Sequence, residues 1–154
     1  MRRTVLALLA SAAVITGFVV ASRGTVAAPA PSAHGFTLTG SVAGGVKKAQ
    51  NDQPLSFVFS EKNTGSTSQS EDLVLESLTN ASLQSVGCVL PNGFQINPDG
   101  PGCEPGFLTH GQVASVVFNA TITGTSGSVA ARVCLNNEGT GVVGPCQTLT
   151  VPIA

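Results

Sequence analysis

The last third of the chain alternates. From Val116 onward, Phe118, Ala120 and Ile122 share one parity, while Val117, Asn119, Thr121 and Thr123 take the other. A period of two marks a strand with one buried face. It restricts the chain to folds in which a sheet covers something. Gly124 to Ser128 interrupts the pattern, and Val129, Ala131, Val133 and Leu135 resume it. Leu149, Val151 and Ile153 repeat it once more. These three runs within residues 112–153 are expected to form a three-stranded antiparallel ribbon, with the rest of the chain supplying the surface it packs on.

The same alternation recurs upstream. Leu55, Phe57 and Phe59 alternate with Ser56, Val58 and Ser60. Leu73 and Leu75 begin another run, and residues 83–90 a further one. Phe36, Leu38 and Val42 suggest a first strand, with Gly40, Gly44 and Gly45 marking a bend where it switches between sheets. Asn63-Thr64-Gly65 and Thr109-His110-Gly111 read as turns. With 18 Gly, 9 Pro and 42% apolar residues, many turns accompany many core candidates, which suits short strands rather than helices. The expected fold is all-β, an immunoglobulin-like antiparallel β-sandwich of about seven strands over residues 35–154. Trp is absent, so the Cys…Trp…Cys core of antibody domains is not available.

Residues 1–27 read as a cleaved signal helix. Arg2 and Arg3 open it, residues 5–21 are apolar, and small residues follow at Thr25, Ala27 and Ala28. Cleavage is expected after Ala27, leaving residues 28–34, rich in Ala and Pro, as a flexible leader. The mature chain then keeps Lys47, Lys48, Lys62 and Arg132 against eight carboxylates, a net charge of −4. That balance attracts neither nucleic acid nor anionic lipid. No membrane contact is expected after cleavage. Lys47-Lys48 is read as an edge-strand charge that discourages aggregation.

The four cysteines, Cys88, Cys103, Cys134 and Cys146, all follow the export signal, and an even count there reads as two disulfides. Three pairings are possible. Parity favours one: Cys134 faces away from Val133 and Leu135, and Cys146 away from Leu149 and Val151. A hairpin of those strands brings the two together. Cys88–Cys103 then tethers a turn-rich segment with little to bury. Zinc is disfavoured because no Cys-x-x-Cys occurs and His34 and His110 lack ligand spacing.

The segments 57–65 and 73–75, the run Phe107 to Gln112 and the run Gly127 to Val133 together resemble Ig-like repeat domains of bacterial surface proteins, including a conserved-repeat domain of unknown function and a cell-adhesion-related domain. The resemblance covers most of residues 50–152. Leu78-Thr79-Asn80 stands where those domains usually carry Asp-x-Leu-Pro. It implies a module that spaces or adheres, here as one copy.

Chemistry is hard to place on this chain. No Gly-x-Ser-x-Gly occurs, and His110 reads as an exposed turn histidine. Glu61, Glu71, Asp72, Glu76, Asp99, Glu104 and Glu138 form no calcium loop, and Asp72 with Glu76 reads as a pair of solvated strand charges. No cofactor, metal or catalytic residue is expected. Sugar platforms use Trp or Tyr faces, and both counts are zero, which disfavours a carbohydrate-binding module. Actinobacterial chromoprotein apoproteins are similar in plan, as secreted sandwiches with two short-range disulfides, so a small-ligand carrier is a second alternative. Its cleft would be lined by the loops 91–102 and 136–145. The expectation is a secreted, non-catalytic structural or adhesive module, with a surface or wall component as its partner.

Overall fold

The computed structural model describes residues 35–137 and 142–154. The expected signal helix, its cleavage point and the leader 28–34 lie outside the described residues. The strands are β1 (Phe36–Val42), β2 (Pro54–Asn63), β3 (Asp72–Thr79), β4 (Ala81–Val89), β5 (Gln95–Ile96), β6 (Gly102–Cys103), β7 (Val113–Ile122), β8 (Ser128–Asn137) and β9 (Val142–Pro152). They form two antiparallel sheets, β1-β2-β7-β4-β5 and β6-β3-β8-β9. Without the two short strands, the order is β1-β2-β7-β4 against β3-β8-β9. That is the four-plus-three order of a constant-type immunoglobulin sandwich.

The buried parities meet between the sheets. Phe36, Phe57, Phe59 and Phe118 from the first sheet face Leu73, Val129, Val133 and Leu135 from the second, all within about 1% of full burial. Phe59 and Phe118 meet edge to face, with ring centroids 6.2 Å apart at 66°, a favoured aromatic geometry. Phenylalanines of the first sheet thus fill the centre of the core.

The expected three-stranded ribbon is corrected. β7 lies between β2 and β4 in the first sheet, whereas β8 and β9 form a hairpin in the second. Parity reports which face of a strand is buried, not which strand is its neighbour. The turn at residues 123–127 crosses from one sheet to the other, and Asn80 fixes the crossing. Its carbonyl accepts from the amides of Thr123 and Gly124, and its side chain donates to the Ser128 carbonyl at 2.8 Å. Asn80 adopts φ 55° in the one-residue link from β3 to β4, a left-handed conformation asparagine tolerates.

β1 ends in the turn Ala43–Gly45, where Gly44 and Gly45 take φ 69° and 63°. The chain then crosses sheets, and Ala49 bridges Ile153 in parallel. The glycines mark the switch because only they enter that region without cost.

The open side of the sandwich lies along β3 and β4. β5 pairs only with Cys88 and Val89, and β6 only with Leu73 and Val74. Beyond them, each edge carries a bulge, at Glu76 in β3 and Gln84 in β4, four residues either side of Asn80. Bulges twist an edge away from foreign strands. The expectation that Lys47 and Lys48 guard an edge strand is corrected. They are exposed but lie in the connection before the Ala49 bridge, not on an edge.

Asn63 locks the lower end of β2. It is fully buried, yet its side chain donates to the carbonyls of Leu108 (2.7 Å) and Thr67 (2.9 Å) and accepts from the Gly65 amide (2.8 Å). Two loops therefore hang on one amide. Asn63→Ala leaves two carbonyls without that donor and should destabilise by roughly 2–3 kcal/mol, measured as a lower denaturant midpoint at unchanged slope.

Candidate functional site

The segment between β4 and β7 leaves the sandwich and returns over it. Pro91-Asn92-Gly93 closes a turn in which the Gly93 amide donates to Leu90 and the Leu90 amide to Phe94. β5 follows, and Pro98 and Pro101 then stiffen the chain on the way to β6.

Two contacts hold this loop against β3, and a disulfide ties it to β4. The Leu75 amide donates to the Pro101 carbonyl at 2.9 Å. Gly102 pairs with Val74, and a β-carbon there would stand 2.9 Å from the Leu73 carbonyl oxygen. Only glycine permits that approach. Cys103 is bonded to Cys88.

Between this loop and β3 lies a groove of about 510 Å³. Its floor is Asp72 and Val74 of β3 and Asn136 of β8, and its wall is Ile96 and residues 98–104. Asp72 and Asn136 face each other in the strand register. The volume falls in the range of small-molecule sites.

Both cysteine pairs are joined. Cys134 and Cys146 are directly opposed on β8 and β9, with Cα atoms 4.0 Å apart. Cys88 and Cys103 are paired as expected and tether the turn-rich segment between them. Both are fully buried, and they join β4 of one sheet to β6 of the other. Their sulfurs occupy the core edge beside the groove.

Glu76 is exposed, as a solvated strand charge should be, but Asp72 is only 8% exposed. It lies at the groove floor instead of on an open face. His110 is exposed, its Nδ1 2.9 Å from the Gly65 carbonyl oxygen. His34 and Glu138 lie outside the described residues. Among the described residues, no group of three or more His, Cys, Asp or Glu side chains is placed to hold a metal ion.

One buried group goes beyond the sequence-based expectation. Glu61 continues the inward parity of Leu55, Phe57 and Phe59 and is fully buried. Neither of its carboxyl oxygens has a hydrogen-bond partner among the described residues. Burial first, then the nearby charges of Glu71 and Asp72, push its pKa up to about 9. Glu71 is also buried and accepts from Asn137 Nδ2 at 3.1 Å. The signal for Glu61 is the strand parity itself, carried two residues past Phe59.

No protein-family model and no curated protein matches this chain. A solved structure described as "AvmM Catalyzes Macrocyclization in Alchivemycin A Biosynthesis" is similar at a TM-score of 0.49 and 9% identity, covering 81% of this chain and 95% of that one. A likeness of that size says nothing about what this chain does.

Two aromatic side chains flank the groove segment in sequence and are exposed. Phe94 is 62% and Phe107 78% accessible. Both lie in the segment that runs from the end of β4 to the start of β7. Among the described residues, no helix is long and apolar enough to cross a membrane. The two disulfides are compatible with an oxidising, extracellular setting.

Proposed function

We propose that the chain is an exported, non-catalytic immunoglobulin-like module that is structural or adhesive, at a bacterial cell surface or in the medium. The observation that carries this reading is the exposure of Phe94 and Phe107 in the β4–β7 segment of a disulfide-closed frame. Aromatic residues, Phe included, are enriched at protein–protein interfaces. Elsewhere, outward positions such as Thr148, Thr150 and Ser82 are polar, which suits a surface meeting solvent. The test is retention of the mature chain on a cell-wall preparation. Retention that falls about tenfold or more in Phe94→Ala/Phe107→Ala, with melting unchanged, supports the reading. Equal retention of both proteins, or none of either, counts against it.

A small-ligand carrier is the second reading, and the preformed groove over β3 favours it. Pinning by Gly102, Pro101 and the Cys88–Cys103 bond removes an ordering cost that a ligand would otherwise meet.

A further inference from the structure

We propose that the groove between β3 and the 98–104 loop takes an amphipathic organic cation: an apolar body with a protonated amine. The inference rests on the carrier reading and adds the chemistry of the ligand. Three of the groove's lining residues are acidic: Asp72 on the floor, and Asp99 and Glu104 on the wall. None of Lys47, Lys48, Lys62 or Arg132 lines it. Three of the chain's eight carboxylate side chains therefore share one cavity whose lining includes no Lys or Arg. A concave site lined by one sign of charge concentrates ions of the other sign.

The remaining lining is largely apolar. Val74, Ile96, Pro98 and Pro101 give a surface for hydrocarbon or an aromatic ring, with the buried Cys103 beside them. A small inorganic cation would leave that surface wet. An anion would meet three like charges, and a neutral apolar body would gain nothing from them. Asn136 adds an amide that can donate or accept at the floor. The cavity is wide enough for a drug-sized molecule, and it is open on one side, so the ligand need not be engulfed.

The experiment titrates the mature, oxidised protein with three fluorescent probes of one shape. Dansylcadaverine carries an amine, its N-acetyl derivative is neutral, and a dansyl amino-alkanoic acid is anionic. The amine should bind saturably and about fivefold or more tighter than the neutral probe, and the anion more weakly still. Added salt should erode the difference. Asp99→Asn/Glu104→Gln changes two exposed side chains and should cut the preference by about twofold or more, with Asp72 left as the one lining carboxylate. Asp52→Asn, an exposed carboxylate outside the groove, should change nothing. Equal binding of amine and neutral probes overturns the cation assignment and keeps the groove as a site. A preference undiminished in the double variant also overturns it, because two of the three lining carboxylates then contribute nothing. Absence of saturable binding by any probe overturns the assignment and the carrier reading together.

Discussion

Glu61→Gln should flatten the decline in stability between about pH 5 and pH 9, and at pH 9 the variant should be the more stable protein by several kcal/mol. The carboxyl sits fully buried, with Leu38 and Ala114 as its strand neighbours. Burial raises its pKa from 4.5 to about 9, with Glu71 and Asp72 adding to the shift. Between those two values the folded chain holds a proton that the unfolded chain has released. Stability is therefore fully present below about pH 4.5 and is lost as pH rises towards 9. At about 1.4 kcal/mol per pH unit, the ceiling on the loss is roughly 6 kcal/mol. That rivals the whole stability of an ordinary domain, about 5–15 kcal/mol. Glutamine keeps the shape and cannot ionise, so subtracting its pH profile from that of the parent isolates this one group from every other titration. Glu61→Met removes the unpartnered oxygens as well and should exceed the parent across the whole range. The measurement is urea unfolding at five pH values. Parallel profiles for parent and Glu61→Gln would mean that the carboxyl is solvated or paired in solution.

Glu61 also marks the boundary between what a local pattern carries and what it does not. Where one face of a strand is buried, the alternation is plain. β2, β7 and β8 are legible in the sequence from Phe57, Phe118 and Val133, and the Cys134–Cys146 pairing follows from the same parity. The assignment of strands to sheets does not, since β7 and β8 have similar patterns and are parted only by the turn that Asn80 fixes. β5 and β6 leave no signal, because two-residue strands are held by partners and not by a pattern. Asp72 looks like a solvated charge in the sequence because its burial comes from a long-range fit: β3 lies between β8 and a loop from residues 98–104. One wall of the groove is visible as a turn-rich segment. The floor depends on Val74 meeting both Gly102 and Cys134, which no local pattern announces.

Full reduction should lower the melting temperature by about 18–30 °C, and the two bonds should contribute unequally. The closed loops span 15 and 12 residues in sequence. In the chain-entropy account each is worth about 3 kcal/mol, and for a domain of this size 1 kcal/mol moves melting by roughly 3–5 °C. Loop length alone would make the two equivalent. Position separates them. Cys134–Cys146 joins strands already hydrogen-bonded along most of their length, and of its two cysteines only Cys134 is buried, so Cys134→Ala/Cys146→Ala leaves the smaller gap. Cys88–Cys103 joins different sheets at the side of the sandwich where β5 and β6 pair by only two residues each. Both of its cysteines are fully buried in the core, so Cys88→Ala/Cys103→Ala also opens a cavity and frees the loop that walls the groove. That variant should melt lower than Cys134→Ala/Cys146→Ala by about 5 °C or more. Hydrogen exchange should then quicken over residues 95–104 before the rest of the sheet responds. Equal melting of the two variants, with exchange at residues 95–104 unchanged, would place the groove loop's rigidity in Gly102 and the Pro101–Leu75 hydrogen bond instead of in the sulfur bridge.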